Sequence, residues 1–347
     1  MQILKPGIQF NIKAAARAWP DGMPISNLEI LQHYPRTAEY SLAVQQTIAK
    51  KVYEDLGFNT RYWAHKPWQE LSHAVETSES LAVKVLEKIF TIMNPETVDA
   101  FLLGSTTNQR YTGSQACGAL GAFNLSAPAY DLKAGCSTSL ATLHLAYGLM
   151  FLGYKNILVS CAETMSKVID PDNEKTWLGV ADGAAGLWIE KTENGHFKVE
   201  KSFFSTDGAY VDAFTTRGIL PPTPNELETA GYYLQGDETL LKELALSRYE
   251  LMLKHLLPTE KDKAEITWII PHQVNRNLID GLIEKHGLQD STLLWDADKM
   301  GNIGGASILF TLARAVEENL FNKPGKILLM SVGGGLSYAA QIISVMS

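Results

Sequence analysis

Three residues stand where reactive side chains would be concentrated. They are Cys136 in Ala134-Gly135-Cys136-Ser137-Thr138-Ser139, His272 in Pro271-His272-Gln273-Val274-Asn275, and Asn302 in Gly301-Asn302-Ile303-Gly304-Gly305-Ala306-Ser307. Cys136 follows a strand-like run and opens a helix-like one. A sulfur there meets unpaired N–H groups and the positive end of the helix dipole, so the placement predicts a lowered thiol pKa and a thiolate nucleophile. An isolated cysteine is more often a small core residue, which is the reading for Cys161 and Cys117. His272 ends the apolar run ITWIIP, where a neutral imidazole can donate to a developing oxyanion; a lone histidine is otherwise structural or on the surface. Asn302 between glycines can aim its amide inward, although the same residue also serves as an ordinary turn residue. Gly333-Gly334-Gly335 closes another apolar run, and its N–H groups can bind an oxyanion or only turn a corner.

The elements that would position these residues alternate between strand and helix. Strands are expected at 98–106, 127–135, 156–163, 184–191 and 196–204, with small-residue and apolar helices at 114–125 and 137–152. The second half repeats the grammar, with helices at 238–256, 276–286 and 306–320 and strands at 266–273, 326–335 and 337–346. Short apolar strands alternating with helices predict an α/β protein with buried sheets, whose strand ends carry the ligand site. A division near residues 191–196 gives halves 1–192 and 193–347.

The chain has 347 residues, a net charge of −8 and three cysteines. The acidic balance argues against nucleic acid as the main partner. Three cysteines form neither a disulfide framework nor a tetrahedral zinc site, and no metal is expected. The opening MQILKPGIQF does not read as a signal peptide, and the apolar run 140–154 is too short to span a bilayer, so the expectation is a cytoplasmic protein. No GxGxxG or GxxxxGK[ST] is present, which sets aside a nicotinamide or P-loop enzyme.

Taken together and in order, the segments resemble the ketoacyl-ACP synthase III branch of the thiolase superfamily. The resemblance rests on cysteine at a strand–helix junction, then HQxN, GN followed by small residues, and GGG, with 30 residues from His272 to Asn302. Ala181-Asp182-Gly183-Ala184-Ala185 and Tyr233-Leu234-Gln235-Gly236-Asp237 resemble two further family segments, and the likeness runs from about residue 55 to the end. It implies a thiolase-like fold of two pseudo-symmetric βαβαβαββ halves in five layers (αβαβα), as a homodimer. It implies Cys136 as acyl carrier, His272 and Asn302 as donors to the thioester carbonyl of a second substrate, and Cys136 with Gly334 as the oxyanion hole. Substrates would be acyl-CoA or acyl-carrier-protein thioesters, with no cofactor.

By the same resemblance, Arg276 is a carrier-binding candidate, Arg61 and Trp63 are candidates for holding coenzyme A, and Gln109, Arg110 and Tyr111 are candidates for the acyl-pocket wall. Asn277 and Glu284 stand where the family often has basic residues, Ile303 replaces a common threonine, and Ser137-Thr138-Ser139 is unusually polar. These departures point to a secondary-metabolite specialist. Decarboxylative condensation is the leading reading; acyl transfer from Cys136 to an alcohol or amine, and a non-catalytic subunit of a heterodimer, are the alternatives.

Overall fold

The computed structural model describes residues 2–70, 76–229 and 231–347. Its strands, in chain order, are β1 (Gln9–Ala18), β2 (Ile25–Ser26), β3 (Thr60–Arg61), β4 (Ala100–Gly104), β5 (Ala129–Leu132), β6 (Asn156–Thr164) and β7 (Asp182–Lys191). They continue with β8 (Phe197–Thr206), β9 (Phe214–Thr216), β10 (Leu234–Gly236), β11 (Ile266–Pro271), β12 (Thr292–Leu293), β13 (Gly325–Gly333) and β14 (Ser337–Val345). Ten strands join in the order β12-β11-β13-β14-β8-β1-β7-β6-β4-β5. From the outer edge inward, each five-strand part runs third, second, fourth, fifth, first in its own chain order, so one topology occurs twice. The parts touch through a short antiparallel pairing, Gln9 with Lys198 and Phe10 with Phe197.

Side-chain alternation along the strands explains the layering, because successive residues of a strand face opposite sides of a sheet. In β4, Phe101 and Leu103 meet the outer helix Ser78–Phe90 in one cluster, while Leu102 joins a central cluster. In β13, Leu328 and Met330 face the opposite outer helices, Glu238–Leu256 and Arg276–Lys285, while Ile327 and Leu329 face the centre. The centre holds the helices Thr138–Phe151 and Ser307–Glu317, through Leu140, Leu143, Leu309 and Phe310. The result is helix, sheet, helix, sheet, helix: the thiolase-like five-layer α/β fold. With both faces of each sheet covered, the strands are apolar on both sides, as parallel-rich sheets require.

β1 lies at the join between the two parts but gave little signal in sequence. Its buried positions include Ala14, Ala16 and Ala18, small residues that carry weak strand propensity. The segment after β1 folds into the helices Asn27–His33 and Leu42–Leu56, and an aromatic cluster of Tyr34, Trp63, Trp68 and Trp177 lies beneath them. No helix among the described residues is long and apolar enough to cross a membrane.

Candidate active site

Beyond β5 the chain turns at Gly135, whose φ of +54° favours glycine, and a Cβ there would overlap the Gly334 carbonyl oxygen. Cys136 follows, and the central helix Thr138–Phe151 begins two residues later. Hydroxyls staple this turn to the second half of the chain. Ser331 donates to the Cys136 carbonyl (3.0 Å), Ser337 to the Ala134 carbonyl (2.6 Å) and Ser137 to the Ser337 carbonyl (3.2 Å). Ser139 donates to the Gly305 carbonyl at 2.5 Å and accepts from the Leu309 N–H at 3.2 Å. The polarity of Ser137-Thr138-Ser139 therefore serves packing: all three are fully buried, and each hydroxyl has a partner.

His272 is carried to its place by β11. Pro271 pairs with Met330, and the His272 N–H donates to the Met330 carbonyl at 2.8 Å, one residue from Ser331. The ring is fully buried, and neither nitrogen has a hydrogen-bond partner among the described residues. Burial alone lowers its pKa to about 4, so the imidazole is neutral at physiological pH, with one N–H to donate and one lone pair to accept.

Asn302 sits on the other side. Its backbone is clamped to the 179–181 segment, the Asn302 N–H donating to the Gly179 carbonyl (3.1 Å) and the Ala181 N–H to the Asn302 carbonyl (2.8 Å). The side-chain Oδ1 accepts from the Gly304 N–H at 2.9 Å and from the Ser307 hydroxyl at 3.4 Å. With the oxygen engaged, the Nδ2 protons are the side chain's free donors. Gly305 is required by close approach. A Cβ there would lie 2.8 Å from each of Glu163 Oε1, the Gly135 carbonyl oxygen and Thr138 Cβ. The Asn302 loop and the Cys136 turn therefore meet with no side chain between them.

The environment of Cys136 differs from the sequence expectation. Burial pushes the thiol up to about 12; hydrogen bonds from the backbone N–H groups of Gly334 and Cys136 pull it down, and the Glu163 charge raises it further. The residue keeps some exposed surface, but the sulfur itself is densely surrounded. Desolvation outweighs the placement at a helix start, and the resting side chain is a thiol.

Two further expectations need correction. Arg61 is fully buried, its guanidinium donating to the carbonyls of Trp177 and Leu178 and to Asn27 Oδ1. Burial lowers its pKa to about 9. Trp63 is 6% exposed and donates through Nε1 to the Val180 carbonyl at 2.8 Å. Neither presents a free surface to coenzyme A; both brace residues 177–180 behind Asn302. Gln109, Arg110 and Tyr111 lie on the surface of this chain, with Arg110 paired to Glu79. Arg276 starts its helix, ion-paired with Asp280 at 2.9 Å and lying 5.6 Å over the Trp295 ring.

Two positioning residues escaped the sequence reading. Gln273 is 2% exposed; its amide donates to Thr311 Oγ1 (2.7 Å), and its oxygen accepts from the N–H groups of Asp296 (2.8 Å) and Ala297 (2.7 Å). It ties the His272 strand end to the segment that leads to Asn302. Glu163, fully buried at the end of β6, accepts from Thr106 and Thr107. An acidic residue closing an otherwise apolar strand was the available signal.

The 3-oxoacyl-[acyl-carrier-protein] synthase III family matches residues 130–208, and its C-terminal part matches 258–345. These spans hold Cys136, His272, Asn302 and the glycine triplet. The chain is a ketoacyl-ACP synthase III-like protein. Such likeness extends to a beta-ketoacyl-[acyl-carrier-protein] synthase III 2 of Bacillus anthracis, 29% identical over 273 residues, which cover 77% of this chain and 83% of that one. Among solved structures, a 3-oxoacyl-(acyl-carrier protein) synthase from Burkholderia xenovorans superposes with TM-score 0.82 at 20% identity, covering 99% of this chain and 96% of that one. The priming beta-ketosynthase of the R1128 polyketide pathway superposes with TM-score 0.80 at 20% identity, over 99% and 98% of the two chains. At these identities the superpositions establish the fold of this synthase III-like chain.

Two measurements check the geometry. Gln273→Ala strands two buried polar groups and one partly buried one, and is expected to cost about 3 kcal/mol of stability, read by urea unfolding. The second concerns His272. Its folded value of about 4 lies below the ordinary 6.5, so between these values the unfolded chain binds the proton that the folded chain refuses. Stability should therefore fall as pH drops from 6.5 toward 4, by up to about 3 kcal/mol from this residue. His272→Gln should lose stability less steeply than the parent over that range in parallel urea titrations.

Proposed function

We propose that this ketoacyl-ACP synthase III-like condensing enzyme carries an acyl group on Cys136 and joins it to a malonyl thioester with release of carbon dioxide. One observation carries the reading: a neutral, unpartnered His272 ring and an Asn302 amide with its oxygen already engaged belong to segments braced against the Cys136 turn. Neutral donors stabilise an enolate oxygen without protonating its carbon.

The cycle has two steps. In the first, the Cys136 sulfur attacks the acyl carbonyl of the donor thioester. The new C–S bond forms as the old one breaks, and the departing thiolate takes the cysteine proton. The N–H groups of Gly334 and Cys136, both directed at the sulfur, would hold the oxyanion of this transfer. In the second, the extender's thioester oxygen accepts hydrogen bonds from His272 and Asn302 as its carboxylate leaves as carbon dioxide. The enolate carbon attacks the acyl carbon, and the C–S bond breaks to release the cysteine thiolate, which takes a proton from water to restore the thiol. Splitting the reaction this way is the usual gain of covalent catalysis.

Donor and extender are thioesters of coenzyme A or a carrier protein. Arg276 remains the docking candidate, but Asp280 pairs with it. The adjacent groove of about 500 Å³ includes Asp55, Glu250, Lys242 and Lys285 among its lining residues. Two charges of each sign give weak electrostatic steering for an acidic carrier. That groove touches none of Cys136, His272 and Asn302, so the chemistry of the side chains, rather than the groove, marks the reaction centre. The reading takes residues 1–192 and 193–347 as the two repeated halves. It also takes the chain as a homodimer: β5 closes the sheet with one unpaired edge and an exposed Tyr130, which a second copy would cover.

The test is intact-protein mass spectrometry after incubation with acyl-CoAs of several lengths. Parent protein should gain one acyl mass and Cys136→Ala none; an equal adduct on the variant would refute the assignment. Asn302→Asp should load normally yet form new C–C product at least about a hundredfold more slowly, because a carboxylate repels the enolate. An ester or amide product without carbon dioxide would instead identify acyl transfer to an alcohol or amine.

A further inference from the structure

Glu163 has no part in the two steps above, yet it occupies the point where the site's loops converge. Both carboxylate oxygens are saturated by donors from one short segment. Oε1 accepts from the Thr106 N–H and the Thr106 hydroxyl, each at 2.9 Å; Oε2 accepts from the N–H groups of Thr106 and Thr107, each at 3.1 Å, and from the Thr107 hydroxyl at 2.6 Å. The Thr107 hydroxyl accepts in turn from the Thr164 N–H at 2.8 Å. A cradle made of donors suits an ionised carboxylate and holds the charge in place, although burial raises the pKa of the acid.

From the cradle, Oε1 faces the space at Gly305 that is bounded on its other sides by the Gly135 carbonyl and Thr138. The Cγ of Glu163 likewise bounds the space at Gly304. The 104–107 segment, the Cys136 turn and the Asn302 loop thus meet around one anion. The other titratable groups near the sulfur are uncharged at neutral pH. His272 is a neutral imidazole, and Tyr249, from the outer helix Glu238–Leu256, is a phenol that burial pushes upward.

We propose that Glu163 is a positioning residue whose negative charge restrains the nucleophilicity of Cys136 and whose carboxylate braces the Asn302 loop against the Cys136 turn. This rests on the reading of Cys136 as the acyl carrier. The two roles can be separated. Glu163→Gln keeps the size and removes the charge, while turning an NH₂ group toward the threonine donors. Glu163→Asp keeps the charge and shortens the reach.

The experiment follows iodoacetamide alkylation of Cys136 by intact mass in the full chain. It uses a Cys117→Ser background, since Cys117 is exposed and Cys161 buried. Rates are taken between about pH 7 and 10 for the parent, E163Q and E163D. Below a thiol's midpoint the rate tracks the thiolate fraction, so removing the charge should raise alkylation by E163Q roughly three- to tenfold at each pH, with E163D within about twofold of the parent. In E163Q and E163D alike, C–C bond formation should fall relative to acyl loading. An E163Q profile that overlays the parent, or an equal rise in E163D, would overturn the charge role; unchanged condensation-to-loading ratios would overturn the bracing role. If circular dichroism shows E163Q unfolded, Thr107→Val serves instead. It keeps the charge and removes one donor, so alkylation should match the parent while condensation falls relative to loading. Parental condensation, or altered alkylation, would count against the proposal. Alkylation needs no acyl substrate, and acyl loading of the parent is measured in parallel, so failure of the carrier assignment is seen separately.

Discussion

A single hydroxyl, that of Ser139, joins the two central helices and with them the two halves of the site. Buried from water, it donates to the carbonyl of Gly305 and accepts from the N–H of Leu309. One end of this link belongs to the helix that follows Cys136, the other to the helix that follows Asn302. The near contact at Gly305, the bracing by Glu163 and the placement of the Asn302 amide all depend on that distance staying short. Around it, Ser137, Ser331 and Ser337 repeat the device at the backbone of residues 134–137. Hydroxyls suit the task because each satisfies a backbone carbonyl in a space too tight for a longer polar side chain.

The electrostatic design is a mostly neutral interior. Around the Cys136 sulfur and the His272 ring water is largely removed, and burial is the leading cause of the shifts at both. In such surroundings a developing negative charge feels fixed dipoles strongly. The cost falls on Cys136, which holds its proton more tightly than a solvated cysteine would.

Much of this was legible in the sequence, for a physical reason. β6, β11 and β13 are apolar on both faces and end at polar or glycine residues, so their ends could be placed, and with them His272 and the glycine triplet, whereas Cys136 beyond β5 and Asn302 after a short helix were read from their local motifs. β1 was not legible, because alanine satisfies a crowded interior while leaving almost no propensity signal. Arg61 and Trp63 were misplaced by expectation. Arginine is rarely fully buried, and only the structure reveals that the carbonyls of Trp177, Leu178 and Val180 absorb their donors. The thiol was misjudged because the helix-start argument counts local dipoles and ignores the packing contributed by residues some 200 positions away. Gln273, though part of the HQxN motif, and Glu163, though an acidic residue closing a strand, received no role, since their importance lies in partners distant in the chain.

The short pairing of β1 with β8 has a consequence for biosynthesis. Gln9 and Phe10 pair with Lys198 and Phe197 there, and Leu4, Gly7 and Ile8 exchange further backbone hydrogen bonds with Ser202 and Val199; the central helices and the serine links add the rest of the joining. Those links close late: Ser137 finds its acceptor 200 residues downstream, on the final strand. Such long-range closure slows folding. During synthesis Cys136 therefore emerges well before the strands that bury it, and a chain lacking β14 would lack the Ser337 anchors of that turn.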